Sequence, residues 1–459
     1  MSRLPADYRD NRVCIFGMGY VGLTLATVMA DVGFDVLGLE IRDDIVDALS
    51  QGTSHFHEPG LENQMRKLVA DGRLRFAREL GDDEASVYII TVGTPMGSDG
   101  RVHLDSIRNV ASALAGRLKA GDLVVMRSTV RLGATREIVV PILDRAGVPY
   151  DIVFCPERTL EGQAMPELRY LPQIVGGVSL EARARAAQLF SFVTPTVVQV
   201  ASLETAEMIK LIDNSQRDVQ FAFANEIARM CDAVGISAAD VIQAGKLGYP
   251  RTNLPMPGPV GGPCLEKDSY ILAEGLEPHG IEPEITLAAR RVNERQPAET
   301  VATIQRWFAE SVPPLPARPT IALAGLAFKG RPATDDLRGT TAQPILKALR
   351  TAFPGATFRG YDAVVPAAEI AQAFDIEPVE SVAAALDGAH LLVIANSHLE
   401  FERLALDALA AAMARPGLVF DFWNNFAAAE LSMPDGTAYM ALGASTLTPP
   451  LNAAARGAA

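Results

Sequence analysis

A chain of 459 residues is too long for one compact core, and its length points to roughly two to four domains. Apolar residues make up 49% and charged residues 21%, ordinary values for a soluble globular protein. The formal charge of −14 argues against nucleic acid or an anionic membrane surface as the main partner, so a phosphorylated substrate must meet cations gathered locally.

The first twelve residues are polar, without an apolar signal core. No stretch approaches the roughly 18 uninterrupted apolar residues of a membrane helix. Apolar runs at 13–17, 35–40, 86–93, 122–129, 151–155 and 172–177 read as strands, with helices between them such as one from Tyr20 to about Val32. That alternation predicts a parallel sheet covered by helices over 1–202. Residues 203–234 hold no proline or glycine, and their apolar positions recur at three- and four-residue spacing, so they read as one long helix.

More helix is expected after the loop at 245–264, which makes 203–310 a central helical domain. A long helix joining two α/β halves suits a subunit interface, hence a homodimer or higher homo-oligomer. Residues 311–319 form a proline-rich linker. A second α/β domain follows over 319–446, with strands at 320–330, 358–362, 391–397 and 418–424 and a helix at 342–352. Residues 447–459 read as a disordered tail. The fold class is therefore α/β: two Rossmann-like doubly wound parallel-sheet domains joined by a central long-helix segment.

GMGYVG, Gly17 to Gly22, follows a strand and opens a helix, the context that gives a GxGxxG run its meaning. Gly17 permits the tight turn, Gly19 lets the backbone approach a pyrophosphate, and Gly22 lets helix and strand pack closely. Tyr20 and Val21 open the helix, whose first amides bind the phosphates. Glu40 ends the second strand about 20 residues on, where an acid binds ribose hydroxyls and repels a 2′-phosphate. NAD is thus expected over NADP, with Arg42 the one nearby residue that speaks for a 2′-phosphate.

The four cysteines, Cys14, Cys155, Cys231 and Cys264, show no CxxC or zinc spacing, which suits a reducing cytoplasm. His55 and His57 have no further nearby ligands, so no metal is expected. Cys14 lies in the first strand and Cys231 inside the long helix, as small buried hydrophobes do. Cys155 ends a strand beside a proline. Cys264 differs: Gly261 and Gly262 allow close backbone approach, and Pro263 suits a helix start. A thiol near a helix N-terminus with Lys267 nearby should have a lowered pKa. Asp268 falls one turn later on the same face. A reactive thiol beside a dinucleotide signature suggests covalent chemistry on a carbonyl.

GMGYVG, VGTP (92–95), STV (128–130), PERTLEG (156–162), KLIDNSQRDV (210–219), GGPCLEKD (261–268) and GLAFKGRPATDDLRG (325–339) stand in one order along the chain. In this the chain resembles the nucleotide-sugar 6-dehydrogenase family. The resemblance implies oxidation of a UDP-sugar C6 alcohol to an aldehyde, trapping as a thiohemiacetal, oxidation to a thioester and hydrolysis to the acid, with two NAD reduced per sugar. It makes Cys264 the nucleophile and Lys210 and Asn214, four apart on one helical face, the donors that stabilise charge on the substrate oxygen.

Asp268, Glu157 and Thr129 match residues that position or deprotonate water and shuttle protons. Thr94, Thr129, Glu161 and Lys267 match cofactor contacts, with Arg338 on the cofactor side. Glu157, Arg251, Gly261 and Lys329 match substrate contacts, Lys329 near the diphosphate or sugar. The second α/β unit lacks GxGxxG, so a second dinucleotide site is not expected there.

NSQRDVQFAFANE, PER and PRTNL resemble the UDP-N-acetylhexosamine branch, which favours UDP-ManNAc over UDP-GlcNAc. GGPCLEKD stands closer to the UDP-glucose branch and keeps UDP-glucose as the alternative. A two-electron hydroxy-acid dehydrogenase and a non-catalytic nucleotide-sugar sensor are the other classes; neither needs Cys264.

Overall fold

The computed structural model describes residues 4–5, 7–81, 85–97 and 99–451. The chain divides into two compact units, Met1–Asn214 with Tyr270–Pro283, and Ser215–Ser269 with Glu284–Ala459. The helix Leu203–Val234 starts in the first and continues into the second, with the bounds its apolar spacing predicts. Among the described residues no helix is long and apolar enough to cross a membrane.

The first unit is built on eight strands: β1 Arg12–Phe16, β2 Asp35–Leu39, β3 Leu74–Ala77, β4 Val87–Ile90, β5 Leu123–Met126, β6 Asp151–Phe154, β7 Gln173–Gly177 and β8 Val197–Val200. Their order is β3-β2-β1-β4-β5-β6-β7-β8. All neighbours are parallel except β6 and β7, where Val153 faces Gly177 in antiparallel register. Residue alternation along β1 feeds two cores, Val13 and Ile15 on one face, Cys14 and Phe16 on the other. Helix Tyr20–Val32 covers the first face with ten buried residues.

In the second unit six parallel strands, β9 Thr320–Ala324, β10 Thr357–Tyr361, β11 Glu377–Pro378, β12 Leu391–Ile394, β13 Gly417–Asp421 and β14 Thr437–Ala441, stand in the order β11-β10-β9-β12-β13-β14. Ile321 and Leu323 point to one core, Ala322 and Ala324 to the other. Helix Ala342–Ala352 has the predicted bounds. Strands β3, β8, β11 and β14 go beyond the sequence reading. The tail expected to be disordered from 447 is bonded at its start, since Pro449 accepts from Trp307 Nε1 (3.2 Å) and Leu451 from the Val312 amide (3.4 Å). The rest of that tail, 452–459, lies outside the described residues.

In both sheets the strand order reverses beside the first strand, between β1 and β4 and between β9 and β12. Ligands of open α/β sheets bind outside the carboxyl ends of the strands at such switch points. GMGYVG leaves β1 and VGTP follows β4; GLAFKG leaves β9.

Candidate functional site

Gly17 sits at φ +91°, where a side chain is strained, and a Cβ on Gly22 would lie 1.9 Å from the Gly17 carbonyl oxygen. Both glycines are therefore needed to close helix Tyr20–Val32 onto β1. Gly19 is different: a Cβ there would have no atom within 4 Å, leaving the backbone open on that side. The helix behind it carries no acid in its first turn and no side-chain cap, so no cap side chain takes up its first amides. Glu40 Oε2 accepts from the Met18 amide (3.1 Å) and Oε1 from the Ile41 amide (2.9 Å), fixing the acid beside the glycine turn. Arg42 pairs with Asp44 at 2.6 Å on the surface. These residues fit an NAD dinucleotide: a glycine turn open to phosphate and an acid for the ribose.

Glu58, in the HEPG turn before helix Leu61–Ala70, is a buried residue that the sequence reading passes over. It accepts the Tyr20 hydroxyl, the Gly162 amide (2.6 Å) and the Ala164 amide (2.8 Å). The segment that carries Glu161 is thereby tied to the start of the dinucleotide helix. Burial, then the bond to Glu58, raises the Tyr20 pKa far above its ordinary value, so the hydroxyl keeps its proton and donates.

The loops after β4 and β5 are joined by the Thr94 hydroxyl, which donates to the Thr129 carbonyl (2.7 Å). Glu207 holds the β5 loop from the long helix, accepting from the amides of Gly133 (2.7 Å) and Thr135 (3.0 Å). Lys210 and Asn214 follow it one and two turns on, both buried. Burial raises the Glu207 carboxyl.

Glu157 is buried. Oε2 accepts from Arg127 Nη2 (2.7 Å) and Nε (3.2 Å), and Oε1 from the amides of Arg158 (2.7 Å) and Thr159 (2.8 Å). A carboxylate offers about four acceptor positions, and here all are taken. Burial alone would raise its pKa, but Arg127 and the Thr159 amide outweigh that and hold it below the ordinary carboxyl range. The arrangement favours a fixed charge over a group that gains and loses a proton. Arg127 Nη1 also donates to Cys155 O (3.2 Å), Cys155 Sγ (3.2 Å) and Gln173 Oε1 (3.0 Å). Burial pushes the Cys155 thiol up to about 11.

In the second unit the GGPCLEKD turn is clasped by the GLAFKGRPATDDLRG segment. The Gly262 amide donates to the Gly339 carbonyl (2.7 Å). A Cβ on Gly261 would stand 2.3 Å from that oxygen, and one on Gly262, at φ +95°, would stand 2.5 Å from the Phe328 ring. Cys264 is exposed, whereas Cys14, Cys155 and Cys231 are buried. The Asp268 amide donates to the Cys264 carbonyl (2.9 Å), so the two residues stand one turn apart, while the helix starts at Asp268 and not at Pro263 as expected, residues 263–267 forming a turn.

Asp268 is buried at the start of helix Asp268–Leu276, with Lys267 just before it. Lys329 Nζ lies 5.2 Å from the Phe328 ring centre, Arg338 pairs with Asp336, and Arg251 stacks on Tyr249 at 5.5 Å. Gly17 to Gly22, Glu40, Thr94, Thr129, Glu157, Glu161, Lys210 and Asn214 belong to the first unit. Gly261, Cys264, Lys267, Asp268, Lys329 and Arg338 belong to the second, with Arg251 on the loop that leads into the GGPCLEKD turn.

A glycine turn and acid at the first switch point define a dinucleotide-binding α/β protein. The chain belongs to the UDP-glucose/GDP-mannose dehydrogenase family: the NAD binding domain matches residues 11–194, the central domain 204–295 and the UDP binding domain 322–428. It is an NAD-dependent UDP-sugar dehydrogenase. UDP-N-acetyl-D-mannosamine dehydrogenase of Pyrococcus horikoshii is 31% identical over 420 residues, covering 90% of this chain and 95% of that protein. NDP-N-acetyl-D-galactosaminuronic acid dehydrogenase of Ralstonia nicotianae is 32% identical over 425 residues, covering 88% and 95%. The solved UDP-D-ManNAc dehydrogenase of P. horikoshii superposes with a TM-score of 0.85 at 28% identity, over 95% of this chain and all of that one.

Proposed function

We propose that this protein oxidises the C6 hydroxymethyl group of a UDP-N-acetylhexosamine, UDP-N-acetylmannosamine first, to the carboxylate in four electrons. One observation carries the covalent part: the exposed cysteine stands on a turn pinned by two glycines, while the other three are buried. Gly17, Gly19, Tyr20, Val21, Gly22 and Glu40 hold NAD, with Thr94, Thr129, Glu161, Lys267 and Arg338 contributing. NAD when bound takes a hydride at each of two oxidation steps.

Between them the Cys264 thiolate adds to the aldehyde carbon and gives a thiohemiacetal, whose oxidation leaves a thioester. Lys210 and Asn214 donate to the oxygen as charge develops on it. Asp268 accepts one proton of the water that cleaves the thioester, and the acid is released as the sulfur leaves as the thiolate. Glu157, saturated by Arg127 and two amides, supplies fixed charge, and Thr129 positions water or shuttles protons. Arg251, Gly261 and Lys329 take the substrate, the cations answering its diphosphate on an acidic protein.

The named relatives and the NSQRDV, PER and PRTNL segments support the N-acetylhexosamine. GGPCLEKD favours UDP-glucose as the second reading. A pocket built for the acetamido group leaves polar groups unpaired over glucose, so the two are separable by kcat/KM. We also propose three domains, 1–202, 203–310 and 319–446, a cytoplasmic setting, and a homodimer or higher oligomer through 203–310. The exposed apolar residues Phe223, Met230 and Val234 along the long helix support that interface.

The test is NADH formed per sugar consumed across UDP-ManNAc, UDP-GlcNAc, UDP-glucose and UDP-galactose. Two per sugar with UDP-ManNAc preferred is expected. A ratio near one, or full turnover in Cys264→Ser, overturns the covalent scheme.

A further inference from the structure

The segment from Arg251 to Gly262 forms neither helix nor strand and holds Pro255, Pro257 and Pro259, so few of its backbone groups have backbone partners. Buried backbone groups must find partners elsewhere, and here side chains supply them. The long helix presents Asp218 and Asn225 two turns apart, and helix Glu284–Glu310 presents Arg290 and Asn293. All four are buried within the second unit. Arg290 Nη1 donates to Asp218 Oδ1 (2.9 Å) and to the Leu265 carbonyl (2.9 Å), and Nη2 to the Val260 carbonyl (3.3 Å).

Asn293 Nδ2 donates to Asp218 Oδ1 (2.8 Å) and to the Asp218 carbonyl (2.9 Å), and its Oδ1 accepts from Asn225 Nδ2 (3.0 Å). Asn225 grips Gly258 on both sides, donating to its carbonyl (3.0 Å) and accepting its amide (2.9 Å). A Cβ on Gly258 would press on the Trp423 ring at 2.8 Å, so the far side of that residue is walled as well.

Burying an ion pair is seldom a gain in stability, because apolar residues of the same volume serve as well or better. What this network does is specific: it fixes the carbonyls of Gly258, Val260 and Leu265 along one short stretch, and Cys264 immediately precedes Leu265. We propose that Asn225, Arg290 and Asn293, aligned by Asp218, are positioning residues that set the Cys264 thiol for reaction; this rests on the reading of Cys264 as the nucleophile. They act through the backbone of the turn and touch no reacting atom. A misplacement of about 1 Å in a reacting group can lower turnover about 100-fold.

The test compares Arg290→Lys and Asn225→Ser with wild type and Cys264→Ser in the full chain. The readouts are kcat, KM for NAD, melting temperature and the rate of iodoacetamide alkylation of Cys264, followed by mass spectrometry. Selective labelling is expected because the other three cysteines are buried. In folded network variants kcat falls about 100-fold, KM for NAD stays within twofold, and the Cys264 alkylation rate departs from wild type by more than threefold. A merely structural role lowers the melting temperature without that departure.

Should Arg290→Lys not fold, Asn225→Ser, which keeps the ion pair and releases Gly258 and the bond to Asn293 Oδ1, carries the same expectation. Network variants with kcat and alkylation within twofold of wild type, while Cys264→Ser is dead, overturn the network alone. Turnover retained in Cys264→Ser overturns the nucleophile and this proposal together.

Discussion

Replacing Glu157 by glutamine isolates the pair that underlies the first unit's loops. The side chains of Arg127 and Glu157 are 0% and 8% exposed, so the guanidinium has no water to turn to when its partner loses its charge. Glutamine carries one acceptor oxygen and one amino group. It can satisfy the Arg158 and Thr159 amides or Arg127, and its amino group then faces donors on the other side. Removing one partner of a buried pair costs about 3–5 kcal/mol, because the other charge is left uncompensated. For a unit of this size that lowers the melting temperature by about 6–20 °C, at roughly 2–4 °C per kcal/mol.

The pH dependence carries a definite sign. Burial pushes the Glu157 carboxyl up, but Arg127 outweighs it and the folded pKa lies below its ordinary 4.5. A depressed carboxyl adds stability that is fully present above the unfolded pKa and is lost as the pH falls through the folded one. Thermal unfolding followed by circular dichroism should therefore show a full gap between wild type and Glu157→Gln at neutral pH, closing in acid below 4.5. The double variant Arg127→Met/Glu157→Met should regain a good part of the loss, since neither charge is then stranded. A gap below about 1 kcal/mol at neutral pH, as for an exposed pair, or one that acid leaves unchanged, refutes the reasoning.

Two glycines of the dinucleotide turn should separate fold from ligand. Gly22→Ala drives a Cβ into a backbone oxygen and should cost stability by at least about 1–3 kcal/mol as well as NAD binding. Gly19→Ala meets no atom and should melt within a degree or two of wild type, yet weaken NAD binding about tenfold or more in titration calorimetry, near 1.4 kcal/mol; equal binding would mean the pyrophosphate does not approach there. Glu58→Gln sets an amino group against Tyr20, Gly162 or Ala164 and should lose about 1–3 kcal/mol, read as a lower melting temperature.

Motifs that are local in the chain were legible before the structure: GMGYVG with Glu40, the 203–234 helix, and the Cys264–Asp268 turn each depend on spacings under about 30 residues. The short strands were not. β3 pairs Arg75 with Phe76 and β8 carries Gln199, so neither reads as an apolar run, and both lie at sheet edges, where one side needs no burial. The buried charges were harder still.

Arg127 falls inside the run 122–129 that reads as a strand, though β5 ends at Met126, and Arg290 sits in ARRVNER among charged residues. Their partners lie 30 and 72 residues away, and only the packed fold reveals that water is excluded from both. Glu58 has the same defect: nothing in HEPG announces that Tyr20, 38 residues earlier, donates to it.

The two sheets also show why one topology can serve two ligands. In the first, Glu40 stands just after β2 and the Gly19 turn opposite it is open. In the second, Asp362 occupies the matching place just after β10. Its Oδ2 accepts from the amides of Leu326 (2.6 Å) and Ala327 (2.9 Å), and its Oδ1 from those of Val364 (2.9 Å) and Val365 (3.1 Å). Four amides fill the acceptor positions of one carboxylate, so Asp362 has none left for a ribose diol. The turn after β9 is folded onto its own acid, whose Oδ2 takes the Leu326 and Ala327 amides. The second turn thus lacks both the GxGxxG run and an acid with open acceptor positions.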